Sequence, residues 1–310
     1  LMDKLAGMHA FVRVVERGSF SAVARELGST QSAVSKQVAA LEAILGVRLL
    51  SRTTRALALT EAGERYFEQA RRLVGEIAEV ESTLVSGEQQ LTGWLRVAAS
   101  VAFGRIKLMP MVTSFLAAHP GVRIDLRLND GFIDLVEQGI DVAVRIGELA
   151  DSSLLARRVG TTQRVVVASP GYLASLPPDR TEPTEPDHLA QHNCIVYTGL
   201  ATRQHWTFMA PGTPAAPQGE GKTVQVQGNL QSSSSEVVRE AVLANMGIAH
   251  SPTWLFEEEL ANGKVVRLLR NWTTASLPVH LVSPQQRKHS TKVRVFGEHV
   301  ARQMLAQSNT

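Results

Sequence analysis

Residues 19 to 60 read SFSAVARELGSTQSAVSKQVAALEAILGVRLLSRTTRALALT, and the architecture of the chain is decided there. Val34, Val38, Leu41 and Leu45 recur at steps of four, three and four, the stripe of a helix with one buried face. Thr30, Gln31 or Ser32 can cap that helix, and Gly46 ends it. A shorter helix precedes it, from Ser19 or Ser21 to Leu27, with Gly28 just past its end, where left-handed backbone is favoured. Opposite the buried stripe lie Ser32, Ser35, Lys36 and Ala39, with Gln31 and Ser32 in the opening turn. Two helices joined by a tight Gly-Ser-Thr turn, the second exposing small, polar and basic groups, have the form of a helix-turn-helix that enters a major groove. An ordinary helical cluster with a solvated face would read the same on this segment alone.

The flanks decide between these readings. Upstream, Leu5, Met8, Phe11, Val12 and Val15 form the stripe of another amphipathic helix, ending near Gly18. Downstream, Val47–Leu50 and Ala56–Leu59 read as short strands around Ser51-Arg52-Thr53-Thr54-Arg55, a polar loop whose arginines can reach phosphates or a minor groove, as a wing does. From Thr60 to about Ser86 there is no proline, and Tyr66, Ala70, Leu73, Ile77, Val80 and Leu84 keep a heptad seam with glutamates around it. So narrow an apolar line on so long a helix calls for a partner helix, either in a second copy or in the same chain's head. A dimer would set two recognition helices about a two-fold axis, as a palindromic site requires.

Charge follows the same division. Residues 1–60 hold eight Lys and Arg against four Asp and Glu, and residues 61–90 hold three against seven. Residues 91–310 carry 21 basic and 18 acidic groups, so nothing there has the look of a general polyanion surface. With 44% hydrophobic and 20% charged residues, 310 residues make two or three globular domains. No apolar run reads as a membrane span, and the first residues lack the pattern of a secretory signal. Cys194 stands alone, so an internal disulfide is excluded and a small buried apolar role is expected. These features lead us to expect a cytoplasmic protein without a membrane partner.

Ser86–Gly93, rich in small and polar residues, reads as the hinge between the two halves, and beyond it the pattern changes to alternating strands and helices. Leu95, Val97 and Ala99 alternate as in a strand, Leu108 to Leu116 have helical spacing, and Val122, Ile124, Leu126 and Leu128 alternate again. A helix near 132–138 and a strand near 141–146 follow. A second run of the same kind starts at Arg164–Ser169 and passes through Cys194–Tyr197, a Pro- and Gly-rich loop near 211–222, a helix near 236–244 and Gly247–Ser251. Val279–Val282 and Lys292–Leu305 read as a returning strand and a closing helix. The fold class is therefore α/β, with two lobes joined by crossing strands and a cleft between them.

The chain resembles the LysR-type transcriptional regulators over essentially its whole length. The resemblance is carried by Phe20-Ser21-Ala22, by Gln31-Ser32-Ala33-Val34-Ser35-Lys36-Gln37-Val38 with Leu41-Glu42 and Leu45-Gly46, and by Leu49-Leu50, Arg52-Thr53, Leu59-Thr60 and Ala62-Gly63. In the second half it is carried by Arg145-Ile146-Gly147 with Asp151-Ser152-Ser153-Leu154, and by Ala168-Ser169-Pro170 with Tyr172-Leu173. It implies a winged helix-turn-helix over residues 1–60, a linker and dimerisation helix over 61–90, and a periplasmic-binding-protein-like effector domain over 91–310. Lobe I would be about 91–163 and 269–310, and lobe II about 164–268. It also implies homodimers that pair into tetramers. The chain departs from the family pattern at Lys36, where arginine is commoner, and a point charge there reads guanine less strictly than a planar fork.

Expected partners are operator DNA, a small-molecule effector of aromatic or carboxylic type, a second copy of the chain, and RNA polymerase if the protein activates. For DNA the candidates are Gln31, Ser32, Ser35 and Lys36 toward bases and nearby phosphates, with Ser21, Arg52, Thr53 and Arg55 on the backbone. For the effector they are Ser100, Val101, Ala102 and Phe103 after the first sensor strand, Arg145 and Gly147 at the end of the third, and, by resemblance, Tyr197 and Thr198 from the second lobe. Helix capping is the plainer role for Ser100, and a salt bridge between lobes the plainer one for Arg145. No cofactor, metal or catalytic residue is expected, because no dinucleotide fingerprint, P-loop, G-x-S-x-G or H-E-x-x-H occurs. Two rivals remain at this stage: a solute-binding protein with no DNA role, and an α/β enzyme with an N-terminal oligomerisation helix.

Overall fold

The computed structural model describes residues 2–53, 56–85, 91–131, 133–149, 153–210 and 221–308. They fall into two units, Leu1–Trp94 and Leu95–Thr310. In the first, α1 (Met2–Arg17), α2 (Phe20–Glu26) and α3 (Gln31–Leu45) pack around Phe11, Val14, Val23, Val34 and Leu41, all fully buried. Local chemistry sets each boundary. Ser19 caps α2 by accepting from the Ala22 N–H, Thr30 caps α3 by accepting from the Ala33 N–H, and Gly46 leaves α3 at a φ of 71°. Arg13 and Arg17 of α1 both pair with Glu26 of α2, which clips the short helix to the long one.

The hairpin that follows, β1 (Leu50–Thr53) and β2 (Ala56–Leu59), corrects the expected wing. The first strand was expected over Val47–Leu50, with 51–55 as loop. Instead Ser51, Arg52 and Thr53 are strand residues, paired with Ala58, Leu57 and Ala56. The reason lies at the base. One Glu42 carboxylate oxygen accepts from both the Leu49 N–H (2.7 Å) and the Leu50 N–H (3.0 Å), so strand pairing begins where α3 anchors the chain, and Val47 is left exposed.

The long helix α4 (Glu61–Val85) starts from that same base. The Thr60 hydroxyl donates to the Arg48 carbonyl at 2.7 Å and accepts from the Gly63 N–H at 3.0 Å. A Cβ on Gly63 would sit 2.0 Å from the Leu49 carbonyl oxygen, so only glycine lets the helix approach so closely. The heptad seam divides along its length. Tyr66 and Ala70, expected as dimer contacts, pack into this chain's own head: Tyr66 and Phe67 lie against the Phe11 ring, and Ala70 is 1% exposed. Leu73 is exposed and Ile77 half-buried. The side chains of Val80 and Leu84 lie outside the described residues.

The second unit begins within β3 (Gly93–Ala99), followed by a helical run in which α5 (Val101–Phe103) and α6 (Met109–Ala118) are joined by the π-helical turn Gly104–Leu108. Then come β4 (Val122–Leu128), β5 (Val142–Ile146) and β6 (Leu155–Thr162). At Gln163 the chain crosses into the second sheet through β7 (Arg164–Ala168), α7 (Pro170–Ala174), β8 (Cys194–Tyr197), the small hairpin of β9 (His205–Phe208) and β10 (Lys222–Gln225), β11 (Gln231–Ser232), α8 (Ser235–Leu243), β12 (Ile248–Pro252), α9 (Glu257–Ala261) and β13 (Val266–Leu268). It returns through β14 (Leu277–Ser283) and closes with α10 (Thr291–Ser308). The sheets run β4-β3-β5-β14-β6 and β11-β8-β12-β7-β13. Both are mixed, since β3 is parallel to β5 while β14 is antiparallel to it, and β12 is parallel to β8 but antiparallel to β7.

Three local expectations change. Leu95 through Ala99 are all buried rather than alternating, because β3 is an interior strand with both faces covered. The helix expected near 132–138 is a single turn over its described residues: the Asp134 carboxylate takes the Val136 and Glu137 N–H groups, and Gly139 then turns left-handed at a φ of 62°. The run Val101–Ala118 is long and apolar enough, by length and composition, to cross a membrane. Its Ala102, Phe103, Leu108, Met111, Val112 and Phe115 are instead buried in the lobe, which accounts for its composition.

Candidate functional site

In the head, the exposed face of α3 carries the residues singled out for DNA. Gln31, Ser32 and Lys36 are exposed and Ser35 half-buried, on the side opposite Val34, Val38 and Leu41. Ser21 is exposed beside the α2 cap, its hydroxyl 2.9 Å from that of Ser19. Arg52 and Thr53 stand in β1, although their side chains lie outside the described residues, as does the whole of Arg55. A capped helix with a polar outer face, held beside a hairpin by Glu42, has the parts that groove and backbone contacts require.

The second unit holds a cavity of about 170 Å³ between its two sheets, roughly the size that takes a single benzene-like ring. Ser100, Arg145 and Tyr197 line it among the expected residues. The other five do not. The Val101 N–H donates to the Asp130 carboxylate at 2.9 Å, and Ala102 and Phe103 are buried. Gly147 donates to the Pro278 carbonyl, and the Thr198 N–H to that of Ser232. Ser100 immediately precedes the helical run and Ser234 immediately precedes α8, and neither side chain caps its helix.

Sequence reasoning missed Asp130, Arg164 and Trp254, which line the cavity together with His250. Arg164 opens β7 opposite Pro252 of β12, so its side chain emerges at the cavity. Its Nη2 donates to the His250 carbonyl, while its buried Nε has no hydrogen-bond partner among the described residues. Burial pushes its guanidinium down to about 10, partly offset by Tyr197, so the group stays protonated at neutral pH. Burial, with Arg164 beside it, holds the His250 imidazole well below its ordinary value and therefore neutral, and burial raises the Tyr197 phenol. Both ring nitrogens of His250 and the Trp254 indole N–H are also buried without a partner among the described residues. The available signals were an arginine opening the apolar run RVVVA and a histidine interrupting an apolar strand.

Three contacts bridge the lobes at the edge of this cavity. Arg105 makes two hydrogen bonds to the Glu236 carboxylate (2.9 and 3.1 Å), Lys107 pairs with Glu257, and the Phe103 ring meets Trp254 edge-on at 5.4 Å. Both cations sit on the π-helical turn, a distortion common at functional sites.

Residues 5–64 match the family model described as a bacterial regulatory helix-turn-helix protein of the lysR family, and residues 88–305 match that of the LysR substrate binding domain. The transcriptional regulator PtxR of Pseudomonas aeruginosa is 38% identical, with 97% of this chain and 95% of that protein aligned. The regulator CrgA of Neisseria meningitidis is 35% identical over 92% of each. Among solved structures, CrgA superposes with a TM-score of 0.60 at 32% identity, covering 96% of this chain and 98% of that one. The full-length Vibrio cholerae virulence activator AphB superposes with a TM-score of 0.56 at 29% identity, covering 95% and 97%.

Proposed function

The chain belongs to the LysR family of transcriptional regulators, with a helix-turn-helix DNA-binding domain and an effector-binding domain, and on that premise we propose how its residues divide the work. Gln31, Ser32, Ser35 and Lys36 read base edges and adjacent phosphates, while Ser21, Arg52, Thr53 and Arg55 hold the backbone. The effector, a small aromatic or carboxylic molecule, sits between the lobes against Ser100, Arg145 and Tyr197. The working division is a head over 1–60, a linker helix over 61–90 and a sensor over 91–310. Two copies join through the linker seam from Leu73 onward, as homodimers that pair into tetramers. The protein works in the cytoplasm without catalytic activity, and where it activates it does so through RNA polymerase.

The observation that carries the DNA reading is the exposed polar face of α3, opposite its buried stripe, capped by Thr30. Footprinting on the DNA upstream of its own gene tests it, with a protected dyad expected. Lys36→Ala lowers operator affinity and reduces the slope of log affinity against log salt by about one, the signature of one lost phosphate contact. An unchanged slope removes Lys36 from the contact set.

A further inference from the structure

We propose that the ligand of the interlobe cavity is a small monoanion, a single carboxylate seated on Arg164. The proposal rests on the reading of this cavity as the effector site, and adds the ligand's charge, its size limit and the residue that selects it.

Among the described lining residues the charged side chains are Arg145, Arg164 and Asp130. Asp130 and Arg145 come from lobe I and each has a backbone partner: Asp130 accepts from the Val101 N–H, and Arg145 donates to the Ile133 carbonyl. Arg164 comes from lobe II, and its Nε is a buried donor with no acceptor among the described residues. The lining therefore carries one positive charge in excess. Uncompensated charge withdrawn from bulk water is costly, and pairing it with hydrogen bonds removes that cost. One carboxylate brings the balance to zero, a neutral ligand leaves it positive, and a dianion overshoots it.

The remaining polar groups of the lining include the neutral side chains of His250, Trp254 and Tyr197. His250 and Tyr197 stay uncharged at neutral pH, so neither alters the balance. The cavity volume of about 170 Å³ admits a single ring or a short chain.

The test is isothermal titration of the full chain with two matched series: benzoate, benzamide and phthalate, and butyrate, butyramide and succinate. In at least one series the monoanion binds about tenfold or more tighter than its amide and its diacid, the scale of a charge-assisted hydrogen bond. Arg164→Gln brings acid and amide to within about threefold of each other. Should that variant fail to fold, the acid-to-amide ratio of the natural chain decides alone. An amide or diacid that binds as tightly as the monoacid overturns the proposal, as does a panel in which no monoacid binds. A parallel gel shift on upstream DNA separates the failures. Operator binding that persists in dilute salt confines the error to the charge of the cavity, whereas its loss removes the regulator reading itself.

Discussion

The head and the sensor keep their working groups on opposite sides of their hydrophobic cores. In the head, Gln31, Ser32 and Lys36 lie on the face opposite Val34, Val38 and Leu41, so the surface proposed to meet DNA shares no side chain with the core beneath it. In the sensor, Arg164, His250 and Trp254 are buried or half-buried, and His250 packs against Trp206 and Phe208 of the lobe II core. Function and stability are separable in the first case and entangled in the second. Substitutions on the DNA face should therefore be nearly silent in unfolding experiments, and substitutions in the cavity should not.

The contrast breaks first if the α3 stripe is not the core. Leu41 is fully buried, and Leu41→Ala should destabilise the head by about 2–5 kcal/mol, the range for a leucine cavity. Chemical denaturation measures this, and a loss under about 1 kcal/mol would place Leu41 outside a packed core. Glu42 sharpens the comparison, because its carboxylate ties the base of the hairpin to α3. Glu42→Ala deprives the Leu49 and Leu50 N–H groups of their shared acceptor, for an expected cost of about 1–3 kcal/mol. Glu42→Gln, whose amide oxygen still accepts, should recover most of it. Hydrogen exchange at the Leu49 and Leu50 amides distinguishes the two variants.

The same contrast governs what could be read from the sequence. The head is local: a cap, a stripe and a glycine stop lie within sixteen residues of one another, so Thr30, Leu41 and Gly46 were legible as helix signals and Lys36 as an exposed neighbour. The wing register was not legible, because it is fixed by Glu42, a side chain from the preceding helix. Nor could periodicity tell which part of the α4 seam this chain uses itself: Tyr66 and Ala70 repeat as Leu73 does, and only the tertiary position of Phe11 distinguishes them. In the sensor, alternating strands and helices pointed to two α/β lobes joined by crossing strands. The cavity is assembled from ends of elements far apart in sequence, such as Asp130, Arg164 and Trp254, and no spacing rule joins them. Ser100 and Arg145 were reachable because strand ends face the cleft in folds of this kind, and Tyr197 only through the family resemblance.

The smallest expected effect concerns the bridge between Arg105 and Glu236. Arg105 is about half exposed and the pair is screened by solvent, so its removal should change the stability of the sensor by less than about 1 kcal/mol despite the two hydrogen bonds. Yet the pair joins the lobes, and any contact that differs between open and closed lobes shifts their balance by its own free energy. Arg105→Gln and Glu236→Gln should thus leave the unfolding midpoint nearly unchanged while altering ligand affinity by a few-fold, each to the same extent, with the double variant no worse than either single one. If the two changes are instead additive, Arg105 and Glu236 act separately and the bridge does not report on lobe closure. If both variants lower the unfolding midpoint strongly, even the rim of the cleft is part of the sensor's core, and the contrast with the head extends to its surface.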